Sequence, residues 1–126
     1  MKAESLSINE FPLSQRDFLL LLGFRHIHTG SMSEALSIYD VLHVMSPNDL
    51  KISHALIYVY LKMGRVDNAL NELEKLTNQA NSDAVTWLLR GQTLSQLGRT
   101  AEAAKAMRMY IRLRNTKAPK ESLPWK

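Results

Sequence analysis

The chain has 126 residues, 45% of them hydrophobic and 22% charged, which suits one domain with its own core. It contains no cysteine, so disulfides, thiolate metal sites and thiol nucleophiles are excluded. The net charge of +4 is unevenly spread: residues 1–89 hold 7 Lys and Arg against 10 Asp and Glu, whereas residues 90–126 hold 9 against 2.

Residues 1–13 have no sustained periodicity and include Pro12, so they are expected to form a mobile N-terminal arm. The segment MKAESLSINE lacks the apolar core of a signal peptide, and a cytoplasmic address is expected. The longest apolar run, Phe18 to Leu22, is far short of the roughly 20 residues of a membrane span.

Ser14, with Asp17 three residues on, is a good N-cap for a first helix from about Leu13 to Thr29. Phe18, Leu19, Leu22, Phe24 and Ile27 nearly encircle that helix, which predicts burial on two sides. After Gly30, Ser31 and Glu34 have the spacing of a capping box. They open a second helix carrying Ala35, Leu36, Ile38, Tyr39, Leu42 and Met45, and Pro47 ends it. A third helix from about Asp49 holds Ile52, Leu56, Val59, Tyr60 and Met63 before Gly64. A fourth is expected from about Val66 to Ala80, with Ala69, Leu70, Leu73 and Leu76 inward. Ser82 or Asp83 is expected to cap the fifth helix and Thr100 the sixth, which reaches about Arg114. Residues 115–126 read as a basic, flexible tail with two prolines and a lone Trp125.

A fixed period organises these elements. Gly30, Gly64 and Gly98 lie 34 residues apart, as do Ala35, Ala69 and Ala103, and Trp87 with Gly91 adds a W-x-x-x-G pattern. This is the signature of tetratricopeptide repeats. The glycine permits a tight left-handed turn between two helices, and the alanine lets those helices approach closely. One hairpin cannot bury its apolar face alone, but three stacked hairpins can. The expected fold is all-α: three tandem tetratricopeptide-type hairpins over residues 14–114, forming a short right-handed α-solenoid.

In such a superhelix the first helix of each repeat lines the concave face. The inward positions fall on Asp17, Leu20, Phe24 and Ile27, then Lys51, His54, Tyr58 and Leu61, then Val85, Leu88, Gln92 and Ser95. The groove is therefore mostly apolar. A clamp for a C-terminal carboxylate needs Lys, Asn and Arg at these positions, and only Lys51 matches. An apolar groove suits instead an amphipathic helix or an extended apolar segment.

Enzymatic chemistry and cofactors are not expected. His26 and His28 stand two residues apart on a helix and point in opposing directions, so they cannot share one metal. His43 and His54 are expected to have no carboxylate or cysteine partner. There is no nucleophile elbow and no Gly-rich phosphate loop. The basic residues Arg108, Arg112, Arg114, Lys117 and Lys120 come without an aromatic platform, so a solvated helix or an acidic protein surface is expected ahead of nucleic acid. With Leu19, Leu22 or Met109 exposed, self-association without a partner is also expected.

Three stretches, SQRDFLLLLGFRHIHTG, EALSIYDVLHVMSPND and AVTWLLRGQTLSQLGRTAEAAKAMRMYIRLRN, give the chain a resemblance to small type III secretion chaperones, most closely the YscY/SctY family. It covers residues 14–114, although much of the shared content is the repeat consensus itself. The resemblance implies a cytoplasmic, non-enzymatic chaperone that binds a small secreted YscX/SctX-like component and brings it to the inner-membrane export gate. It implies further that Arg108, Arg112 and Arg114 touch an acidic surface of the YscV/SctV-like gate protein. Chaperones of translocators or needle subunits share the repeat, but translocator chaperones usually carry a longer N-terminal extension. A general scaffold module without a secretion role is the alternative of a different class.

Overall fold

The computed structural model describes residues 14–77 and 83–116. They form six helices: α1 Gln15–His28, α2 Met32–Met45, α3 Leu50–Lys62, α4 Val66–Thr77, α5 Ala84–Gln96 and α6 Thr100–Thr116. None of them is long and apolar enough to cross a membrane. The expected arm, Ser82, Trp125 and the tail beyond residue 116 lie outside the described residues, as do residues 78–80 of the expected fourth helix.

Successive helices pair as the repeat requires: α1 with α2, α3 with α4, α5 with α6, while α3 also lies on α2 and α5 on α4. The inner helices α3 and α5 touch as well. The result is the expected short solenoid of three hairpins.

Each hairpin is closed by the same backbone device. Gly30, Gly64 and Gly98 adopt φ of 81°, 76° and 78°, a region that a Cβ disfavours by about 1–2 kcal/mol. Each glycine N–H bonds three residues back, and the next N–H bonds five back, as in Ser31 to His26, Arg65 to Tyr60 and Arg99 to Leu94. These are Schellman motifs, which satisfy the last carbonyls of the outgoing helix and reverse the chain within one residue. Ala35 and Ala69 are then fully buried and Ala103 nearly so.

Two of the expected caps form: Ser14 and Asp83 accept from the backbone N–H of Asp17 and Thr86. Asp49, which the sequence reading did not single out as a cap, accepts from the backbone N–H of Lys51 at the start of α3. Ser31 does not close the expected capping box, because its hydroxyl lies 3.3 Å from that of Thr29 and makes no cap bond. Thr100 is the first residue of α6 and not its cap.

Burial on two sides belongs to α3 and not to α1. Eight residues of α3 are buried, against Gly23 and Ile27 alone in α1. The reason is position in the stack: α3 has helices on both flanks, whereas α1 has none before it among the described residues. Phe18 and Leu21 of α1 and Val41, Val44 and Met45 of α2 are consequently exposed. Leu19, Leu22 and Met109, expected to be exposed, are half-buried.

Two glycines mark the closest helix approaches. A Cβ on Gly23 would lie 2.9 Å from the ring of Tyr39, which is 3% exposed, and one on Gly91 would meet the end of the Met107 side chain. The Tyr39 ring cannot swing away, whereas the thioether can. Gly23→Ala is therefore expected to cost about 1–3 kcal/mol and Gly91→Ala clearly less, as read from urea unfolding midpoints. Equal costs would show that the two contacts are alike.

Candidate protein-interaction groove

The inner helices leave two clefts, each of about 550 Å³. The first lies where α1 faces α3 and is lined by Leu20, Leu21, Phe24, Tyr39, Lys51 and Ala55, with Arg16, Asp17 and Asp49 at its polar edge. The second lies between α3 and α5, with α6 below, and is lined by Tyr58, Leu61, Lys62, Gly91, Gln92, Ser95 and Met107 among others. Both are apolar basins with a sparse polar rim.

The expected groove residues divide between the clefts and the core. Leu20, Phe24 and Lys51 meet in the first cleft, and Tyr58, Leu61 and Gln92 in the second. Leu20, Phe24 and Tyr58 are half-buried and Lys51 and Gln92 exposed, so these five offer surface. Ile27, His54, Leu61 and Val85 are each less than a tenth exposed. Val85 and Leu88 line neither cleft. Each fourth residue of a helix returns to one face, but that face is shared between the groove and the neighbouring helix. Lys62 also sits 5.7 Å from the Tyr58 ring, a cation–π contact at the rim of the second cleft.

Polar links that sequence spacing does not reveal tie the repeats together. Arg16 pairs with Asp49 and also donates to the hydroxyl of Ser46, joining the start of α1 to the start of α3. His43 Nε2 lies 3.5 Å from Glu72, and His54 Nε2 lies 3.4 Å from Asp83. Both histidines therefore have carboxylate partners, contrary to the sequence reading. The partners are 29 residues distant in each case, on a neighbouring hairpin. The only sequence signal is that such separations lie close to one repeat length.

The His54 cluster has the residue types of a catalytic triad but not its wiring. The Thr86 hydroxyl donates to Asp83 at 2.8 Å, and His54 Nε2 lies 2.9 Å from the same hydroxyl. With its hydrogen committed to Asp83, the hydroxyl accepts from His54, so Nε2 carries the hydrogen and is no base for it. Thr86 is also fully buried. The cluster is a structural key that anchors the start of α5 on α3. Partial burial by itself would raise the Asp83 carboxyl, but the bond and charge of His54 and the bonds from Thr86 hold it down at about 2.

Elsewhere, His28 Nδ1 lies 3.0 Å from the Phe24 carbonyl and its ring is tilted by 48° against that of Phe24, with centroids 4.2 Å apart. His26 is half-buried. Among the described residues no group of three His, Cys, Asp or Glu side chains is placed to hold a metal. Arg108, Arg112 and Arg114 are exposed along α6, with Arg114 5.9 Å from the Tyr110 ring and Arg112 reaching the Met109 sulfur.

Comparison with known families agrees with this architecture. A family model described as anaphase-promoting complex, cyclosome, subunit 3, matches residues 28–110, and that family consists of tetratricopeptide-like repeats. No curated protein matches the chain significantly.

The Asp83 cluster sets a pH dependence. A carboxyl held below its ordinary range stabilises the fold fully above that range, and the contribution is lost as pH falls toward about 2. Asp83→Asn is expected to cost about 2 kcal/mol at neutral pH and to flatten the stability profile between about pH 4 and 2. Thermal unfolding across that window, with an unchanged acid limb in the variant, would rule the cluster out as its origin.

Proposed function

We propose that this chain, which belongs to the anaphase-promoting complex, cyclosome, subunit 3 family of tetratricopeptide-like repeats, holds a protein partner in its two apolar clefts as a chaperone. That family is one of protein-interaction scaffolds without enzymatic chemistry. The finer reading is a cytoplasmic type III secretion chaperone, whose partner is a small secreted YscX/SctX-like export component. The single observation that carries partner binding is the pair of apolar clefts on the concave side around Leu20 and Phe24 and around Tyr58.

The chemistry of the clefts favours helical or extended apolar segments over a free chain terminus. Lys51 is the one cation among the twelve inward positions, so a carboxylate would find no clamp. Burial at roughly 25 cal/mol per Å² drives association, while ordering the partner offsets part of the gain. The resemblance of residues 14–114 to the YscY/SctY chaperones supports the choice of partner. In the same reading Arg108, Arg112 and Arg114 meet the acidic surface of a YscV/SctV-like gate, which brings the loaded chaperone to the inner membrane. An adaptor role without secretion is the second reading, supported by the match to a family of protein-interaction repeats.

The first experiment is co-purification from the protein's own cells, with mass spectrometry and light scattering of what is retained. One small secreted protein in fixed ratio is the expected result. Leu20→Glu with Tyr58→Glu, one change in each cleft, is expected to weaken that complex at least about tenfold while circular dichroism stays native. A folded double variant that still holds the partner would refute the clefts as its site. A contented monomer with no secreted partner would favour the adaptor.

A further inference from the structure

We infer that the outward face of α6, which no described helix covers, binds an acidic amphipathic helix of a partner protein, laid on it as α3 lies on α2 and α5 on α4. The inference concerns a surface distinct from the concave clefts.

The repeat itself identifies the face. Leu42, Leu76 and Tyr110 are equivalent at the 34-residue period. In the first two hairpins Leu42 and Leu76 are 0% and 8% exposed, where α3 lies on α2 and α5 lies on α4. In the third hairpin Tyr110 is only half-buried and Ile111 beside it is 52% exposed, while Met107 turns toward Gly91 and the second cleft. Among the described residues no helix follows α6. What seals this face twice within the chain is a helix laid along it, so a helix is the form its occupant takes.

Charge selects the kind of helix. From Ala103 to Thr116, α6 carries Lys105, Arg108, Arg112 and Arg114 and no acid. Among the described residues Arg108 and Arg114 pair with no carboxylate, and Arg114 lies over Tyr110 on the open face itself. A second copy of α6 would bring like charge against like. Residues 117–126 carry three Lys against one Glu, so they do not match the charge. An acidic helix with an apolar stripe satisfies both requirements, with the stripe on Tyr110 and Ile111 and carboxylates toward Arg108 and Arg114. A nucleic acid would answer the charge but leave the apolar strip uncovered.

The test titrates the full-length protein, labelled with 15N, with a synthetic helix of about 16 residues bearing a Leu stripe flanked by Glu. Controls are the same stripe flanked by Lys and a uridine oligonucleotide. Expected are amide shifts confined to the second half of α5 and to α6. The affinity should fall at least about tenfold with Ile111→Asp, with Arg108→Glu plus Arg114→Glu, and between low and high salt. Tyr58→Glu should leave it unchanged, which separates this surface from the clefts. All three variants change exposed or half-buried side chains, and circular dichroism confirms their fold. Equal binding of both peptides, shifts centred on the clefts, preference for the oligonucleotide, or absence of binding at millimolar peptide would each overturn the proposal. So would a dimer abolished by Ile111→Asp, which would assign the face to a second copy.

Discussion

The whole architecture depends on one backbone constraint, the left-handed turn at Gly30, Gly64 and Gly98. Each turn reverses the chain within a residue and satisfies the helix end it closes. Because the reversal is the same three times, the following alanine arrives against the preceding helix three times, at Ala35, Ala69 and Ala103. Repetition of a local rule thus generates a global shape. Nothing in a single hairpin would be stable alone, since its apolar face finds cover only on the next hairpin.

Stacking identical units leaves the question of how neighbours find their register, and the polar keys answer it. Arg16 with Asp49 and Ser46, His43 with Glu72, and His54 with Thr86 and Asp83 all span a repeat boundary or one repeat length. Apolar stripes slide with little penalty, whereas an unpaired buried polar group is costly. These links therefore favour one arrangement over its slipped alternatives. His54 illustrates the outcome, since a side chain placed at a groove position is drawn into the core by its partners on α5.

The same stacking explains where surface is left for partners. Two apolar clefts lie along the inner helices, and among the described residues α1 and α6 each lack a neighbouring hairpin on one side. The N-terminal end exposes Phe18, Leu21 and Val44, and the C-terminal end exposes Ile111 beside a row of cations. A three-repeat scaffold therefore has a large share of partner-competent surface for its size. The repeat fold supplies binding surfaces and not reacting groups, in keeping with the family match.

The sequence by itself determined the hairpins, their number and their turns, because glycine at positive φ, a small residue at a helix crossing and a 34-residue period are local and periodic properties. It also singled out Leu20, Phe24, Tyr58 and Gln92, which line the clefts. Only the tertiary structure decided how much of each inward side chain stays open. Ile27 and Val85 share the periodicity of the groove but are consumed by packing, and Leu61 lines the second cleft while nearly buried. It alone placed carboxylates beside His43 and His54, because those partners come from another repeat 29 residues away. Helical spacing fixes the face on which a residue stands, whereas the neighbour that covers the face is set by how the helices stack.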